Sequence, residues 1–494
     1  MVKIDRPVTE NLSYCFNEQH SPLDKQADEM RERILNLPDT IMPLGEVRYI
    51  SQLNGNDEND GLTPETAWKT LARLGERHLD TVLFERGGVY RGGIDLTSRT
   101  RYGAYGTGPK PCFYGSDRNY ADPDIWEKYS ENIWRSKLTE GMRNIGNAYF
   151  DYGKIIGNKS IMGIDTLKEN FWFWHDMDND YVYLYCDLGN PGDCFEDIEL
   201  PNYGNHIHGA CVDTHKVLVE NFCVKFYAAH GICFRTGAGE VTIRGCEIGF
   251  IGGGMQETYA DTPVRLGNGV EFVNSYSNCI VEDCWVYQCH DAGISHQNCG
   301  FCYNVEDDMI FRNNLVEYCN YNIEMFSRGQ KKSMLNNIIY EGNFLRFAGF
   351  GWGSINRINS DNFFASNING WSRYLPHNGN FFIRNNIFDM SFRQHLTYMC
   401  PNTEYGPIII GNTYVTRKGN ESCMNYQRID PEKNDMEYKG LGVSNLEEFI
   451  ESVKTVDLAP KDIIFVDEVY ENELTDKLRE GGRVPCLTCD YKYR

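Results

Sequence analysis

One five-residue element recurs from about residue 205 onward, and it constrains the fold more than any other feature of the chain. It reads X-Gly-apolar-z-apolar: HGACV (208–212), HGICF (230–234), NGVEF (268–272) and AGISH (292–296). YNIEM (321–325), FGWGS (350–354) and QHLTY (394–398) keep the pattern only in part. A second element alternates with it: VLVENFCV (217–224), VTIRGCEI (241–248), CIVEDCWV (279–286), MIFRNNLV (309–316) and FFIRNNIF (381–388). IIYEGNFL (338–345) and IIIGNTYV (408–415) are looser copies. Aligned, Cys246, Cys284, Asn314, Asn343, Asn386 and Asn412 share one column. The irregular spacing predicts a rung of roughly two dozen residues with loops inserted at one corner.

A rung this thin cannot bury its own apolar face. Stacking rungs about 4.8 Å apart pairs the backbones and makes one continuous core. A turn Asn then passes its side-chain amide to the next rung as a ladder. The competing all-β reading, a sandwich, would show two-residue hairpin turns at even spacing. The pattern therefore predicts an all-β, right-handed parallel β-helix with short helical N- and C-terminal caps.

The flanks read differently. Residues 1–45 are a lead-in, with a helix expected between Leu23 and Leu37 from apolar Ala27, Met30 and Ile34. Residues 46–200 are a β-rich part with the first rungs. Within it, Thr63 with Pro64 marks a helix start, and 171–187 reads as a hairpin. Residues 201–429 are the coil core with groove-framing loops, and 430–494 are a C-terminal cap. There Ser444 to Glu447 reads as a capping box before a helix to about Val453.

Charge narrows the partners. Forty-eight basic against 70 acidic residues leave a net charge of −22, which argues against nucleic acid or an anionic membrane. It counts mildly against polyanionic sugars unless a cation bridges them. No run of about 18 apolar residues exists, so no membrane span is expected. The first twenty residues hold no apolar signal core, so a cytoplasmic location is expected, with the 18 Cys as free thiols.

The run VRYISQLNGNDENDGLTPETAWKTL (47–71), then DTVLFERGGVYRGGI (80–94) and GAYGTGPKP (103–111), resembles the opening of many bacterial parallel β-helix carbohydrate-active proteins. The resemblance covers about residues 45–425. It implies the fold and a carbohydrate context, in a group that spans glycoside hydrolases, polysaccharide lyases, epimerases and phage-spike depolymerases. The triple-Asp pattern of polygalacturonases is not evident; Asp307-Asp308 stands without its companions.

Alternation places the z residue of each copy outward. Down the stack z reads Cys211, Cys233, Glu271, Ser295, Glu324, Gly353 and Thr397. Glu271 and Glu324 are thus expected two rungs apart, about 9.6 Å between Cα atoms. That suits an inverting acid and base pair, whose carboxyl groups stand ~6.5–9.5 Å apart, and flexible side chains could also close to a retaining pair. Asp291, at the turn before the strand, is a third candidate acid or base, or else a turn-forming Asx. His296 falls where neighbouring rungs have Phe272 and Met325. It is either a satisfied core ring or a catalytic group turned outward. Candidate substrate contacts are His230, Asn268 and Tyr321, aligned with His208 at the first position, then Arg235 and Gln297 after z. Arg328, Arg357, Trp371 and His377 follow on later rungs and in a long loop. No metal site is expected from Cys299/Cys302, Cys486/Cys489 or His206/His208.

Three functions stay open. The first is a glycoside hydrolase acting on short oligosaccharides or glycosides without a cofactor. The second is a polysaccharide lyase on a uronate, where calcium could serve, and the third a non-catalytic carbohydrate-binding or spike-like coil. Epimerase or transglycosidase activity trails these. The sequence is silent on oligomeric state.

Overall fold

The computed structural model describes residues 21–467, apart from 76–77, 205–206, 210–213, 260–261, 266, 275, 299–304, 328–333, 356–364, 373–379, 402–406, 421–422 and 430–442. Alternation along short strands turns every second side chain inward, and the described strands stack into three long parallel sheets. Successive strands of the chain visit the three sheets in turn: Tyr276–Glu282, Trp285–Cys289 and Ala292–Asn298 are one rung, and Val305–Arg312, Leu315–Glu317 and Tyr321–Ser327 the next. Ten described strands form each of the first two sheets and nine the third. This is a parallel β-helix, right-handed as parallel crossovers of twisted strands are.

The second repeat element is the corner between the first and second sheets. Asn221, Gly245, Asp283, Asn313, Gly342, Asn385 and Gly411 occupy one corner position and all have positive φ, from +51° to +74°. These are the residue types that tolerate left-handed backbone. The next residue points inward and forms the expected ladder. Cys284 N–H donates to Asn314 Oδ1 (3.0 Å), Asn314 N–H to Asn343 Oδ1 (3.1 Å), Asn343 N–H to Asn386 Oδ1 (2.9 Å) and Asn386 N–H to Asn412 Oδ1 (2.9 Å). Asn412 Nδ2 ends it on Asp457 Oδ2 (2.9 Å).

The glycine of the first element is there for close approach. A Cβ at Gly293 would lie 2.3 Å from Val316 Cγ1, and one at Gly269 2.6 Å from Gly293 O. Later rungs put Asn322, Asn367 and His395 at this corner: Asn322 Nδ2 donates to Asn367 Oδ1 (2.7 Å), and Asn367 Nδ2 to His395 Nδ1 (3.0 Å). Burial among Phe388, Tyr414 and Phe449 pushes the His395 pKa down to about 3. The unfolded chain therefore takes up a proton below pH about 6.5 that the folded chain refuses, and stability falls as pH drops. Between pH 7 and pH 5 this group should remove about 2 kcal/mol. Urea unfolding at both pH values should show that much less acid loss in His395→Leu.

The flanking segments follow their sequence cues with local differences. The lead-in helix, Asp24–Leu35, lies on the outer flank of the second sheet, where Arg31 pairs with Glu317 at 2.8 Å. The start at Thr63 is a capping box over a single tight turn, Pro64–Thr66. The hairpin is present, Trp172–Asp176 against Tyr181–Tyr185. At the far end Asn445, one residue later than the expected Ser444, caps the helix Leu446–Lys454. Phe449 and Val453 of that helix are buried against the core.

The coil is interrupted where it matters for function. Between Cys112–Tyr114 of the second sheet and Ile207–Gly209 of the third, the chain leaves to build a five-stranded and a three-stranded sheet. These pack around Phe150, Phe173, Val182, Leu184 and Ile198. A hairpin, Met255–Tyr259 with Thr262–Arg265, leaves the coil two rungs later. Arg265 donates to Gly146 O at 3.1 Å and Met255 N–H to Asn144 Oδ1 at 3.0 Å, so the hairpin and the insertion brace each other beside the third sheet.

Candidate active site

The third sheet carries the predicted carboxylate column. Glu271 pairs with Ser295, and Ser295 with Glu324, in unbroken parallel register. Their neighbours Val270, Phe272, Ile294, Ile323 and Met325 belong to the core, so the three lie on the outward side of their strands. They are nevertheless covered: Glu271 is 4% exposed and Glu324 6%. Ionisable groups at that depth need built partners.

Glu271 has them. Oε2 accepts from His230 Nε2 at 3.0 Å and from the Cys233 thiol at 3.3 Å, and Oε1 accepts from Asn268 Nδ2 at 3.2 Å. Asn268 is itself held, its Oδ1 accepting from Ala292 N–H at 3.0 Å. The Asn268 N–H points at His230 Nδ1 (3.4 Å), so the imidazole proton sits on Nε2 and is given to Glu271. Burial lowers the His230 pKa against the opposing pull of Glu271, which keeps the ring neutral at pH 7. Burial also pushes the Cys233 thiol well up, so it acts as a donor and not as a thiolate nucleophile. Glu324 Oε2 accepts from Ser295 Oγ and Gln297 Nε2, both at 3.0 Å. Gln297 also donates to Ser295 Oγ at 3.0 Å, tying the middle residue into the pair.

Beside Glu271 the insertion walls a cleft of about 470 Å³. Arg143 and Tyr203, from the insertion and its return, face His208, His230, Cys233 and Arg235 of the coil across it. Burial raises the Tyr203 phenol pKa, with Arg235 and Arg143 pulling it back and Glu271 adding to the rise. Asp291 is half-buried at its turn. Its carbonyl accepts from the Asn320 and Tyr321 N–H groups (2.9 and 3.1 Å), and its charge acts on His230 from the groove edge. Tyr321 is buried in the adjoining rung.

Several expectations need correcting. His296 is no groove residue. It is fully buried inside the coil, where Nδ1 donates to Glu306 Oε2 at 2.7 Å and Nε2 bonds the Tyr340 hydroxyl. A polar ring at an inward position was met by polar partners from the first sheet. Residues 350–354 are not a rung: Trp352–Ile355 is a short helix, and the strand is Ser366–Ser372. The outward residue there is Asn369, paired with Glu324, in place of Gly353. His208 pairs with Cys233, so it stands in the outward column and not at the first position. Asp307 and Asp308 lie on the first sheet, away from this groove.

Arg328, Arg357 and His377 lie outside the described residues, as do Cys211, His206, Cys299, Cys302, Cys486 and Cys489. Trp371 has its backbone in the strand Ser366–Ser372, and its side chain is not among those described. Arg143 and Tyr203 escaped the sequence reading because they flank an insertion and belong to no repeat column. His208 was legible: matching Ile207 with Ile232 by apolar alternation sets its register, whereas the shared His-Gly dipeptide misleads. Among the described residues no cluster of three or more His, Cys, Asp or Glu is arranged to hold a metal ion.

No family model and no curated protein matches the chain. Similar solved structures include the complex structure of XylC with xylose, at TM-score 0.49 and 12% identity over 86% of this chain and 85% of that one. A glycoside hydrolase matches at 0.42 and 10% over 91% and 100%. The GH136 lacto-N-biosidase from Eubacterium ramulus matches at 0.39 and 13% over 86% and 68%. At these scores and identities the likenesses leave the reaction to be argued from the site itself.

Proposed function

We propose that the protein is a glycoside hydrolase that cleaves short oligosaccharides or glycosides by paired-carboxylate catalysis. One observation carries the reading: Glu271 and Glu324 share an outward column, each one rung from Ser295, with a walled cleft beside Glu271. Two rung steps separate their Cα atoms by about 9.6 Å. Side-chain reach brings the carboxyl groups into the ~6.5–9.5 Å range that leaves room for a water between acid and base. One Glu then protonates the leaving oxygen and the other activates water on the opposite face of the sugar ring. His230, Asn268 and Cys233 fix the Glu271 oxygens, and Ser295 with Gln297 those of Glu324.

A second reading, a lyase, is favoured by the convergence of Arg143, Arg235 and Tyr203 on the same cleft. Such groups would neutralise a uronate and take its α-proton. The purified protein, given a panel of neutral and acidic oligosaccharides, should release reducing ends with no ultraviolet-absorbing product. An unsaturated, absorbing product would replace hydrolysis by elimination. Silence across the panel on both readouts would leave a binding coil.

A further inference from the structure

We infer that the sugar in the cleft beside Glu271 carries a carboxylate, held by Arg143 and Arg235. This rests on the cleft being the substrate site proposed above, and it names the substrate class.

The argument starts from charge. The chain holds 70 acidic against 48 basic residues, so a cleft drawn at random from its surface would be acidic. No Asp or Glu is among the residues that line this one, although Asp95 stands 3.0 Å from His208 and Glu271 3.0 Å from His230. Burial lowers the pKa of both imidazoles against the pull of these carboxylates. The walls therefore carry two guanidinium charges, placed by two separate parts of the fold. Arg143 comes from the insertion, and Arg235 follows the third-sheet strand Ile232–Phe234. Both act on the Tyr203 phenol, which locates them in one neighbourhood. Among the described residues none gives Arg143 a carboxylate partner.

Glu271 is engaged by its own donors, His230, Cys233 and Asn268, at 3.0–3.3 Å. An anion in the cleft has both arginines among the residues around it. A carboxylate fits the guanidinium fork with two parallel hydrogen bonds, a geometry that a neutral hydroxymethyl group cannot supply. The pyranose hydroxyls would then find the Tyr203 hydroxyl as a partner that both donates and accepts. A cleft of about 470 Å³ is in the range that encloses a small ligand. The overall charge of −22 does not oppose this, because salt screens distant surface charges beyond about 8–10 Å.

The test is direct binding by titration calorimetry with matched methyl glycosides: glucuronide against glucoside, galacturonide against galactoside, mannuronide against mannoside. In at least one pair the uronide should bind about tenfold or more tightly than its neutral partner, the worth of a charge-assisted hydrogen bond. The preference should disappear in Arg143→Ala/Arg235→Ala, persist in part in the double Lys variant, and shrink between 50 and 500 mM NaCl. Equal binding of both members of every pair, or no binding of any uronide, overturns the inference. So does tighter binding of the 6-sulfated glycoside, which would make the anion a sulfate. The outcome is separable from the reaction. Hydrolysis of neutral oligosaccharides without a uronide preference keeps the hydrolase and discards the acidic substrate. A uronide preference with an absorbing product keeps the acidic substrate and discards hydrolysis.

Discussion

Glu271→Gln and Glu324→Gln should each lower kcat by about 10³-fold, within the range that general acid–base catalysis contributes. Their positions make the comparison clean. Among the described residues the donors to each carboxylate are neutral groups, so a Gln keeps the shape and one acceptor oxygen while losing the proton chemistry. The stability cost should be about 1 kcal/mol, from the amide nitrogen that now faces a donor. The pH profile of the residual activity separates the two roles. Each variant should lose one limb of the bell, and the limb lost identifies acid or base. Near-full activity in both variants would retire the pair. His296→Phe provides the contrast. It leaves Glu306 buried without its imidazole, so it should cost several kcal/mol of stability and spare kcat in whatever protein folds.

Asn343→Ala should be the most damaging single truncation in the corner ladder, at about 2–5 kcal/mol. The Asn343 side chain accepts from Asn314 N–H and Nδ2 (3.1 and 2.9 Å) and donates to Phe311 O and Asn386 Oδ1 (2.8 and 3.0 Å). All these groups are sealed from water, so removing the amide strands partners on the rungs either side. Asn445→Ala removes a hydrogen bond too, from Glu448 N–H at 3.0 Å, but at an exposed helix start. It should cost only about 1 kcal/mol, since water replaces the lost oxygen. Urea midpoints for the two variants test the difference. An Asn343→Ala midpoint no lower than that of Asn445→Ala would mean that the ladder contributes little.

The coil was legible because its chemistry repeats. A buried ladder demands the same short amide at the same corner, so Asn314, Asn343, Asn386 and Asn412 announce their register in the chain. Alternation then placed Glu271, Ser295 and Glu324 on one side, and the observed pairing agrees. The reading failed where repetition fails. The insertion before Ser366–Ser372 hid that rung, and Gly353 took the place of Asn369. The period of two was enough to put His296 inward. It could not supply Glu306 and Tyr340, which arrive from another sheet.

What the chain determined unaided is therefore periodic and local: strand alternation, left-handed corner residues, and stacking at a fixed rise. Those features depend on neighbours in sequence or on one register shared by every rung. What only the folded molecule decided is the cover over the outward face. Arg143 and Tyr203 wall the cleft beside Glu271 because an excursion of the chain, roughly residues 117–201, folds back and braces on the hairpin at Met255–Arg265. Its path is set by contacts between distant segments, which no repeat column encodes, and that path brings Arg143 and Tyr203 across the cleft from Arg235.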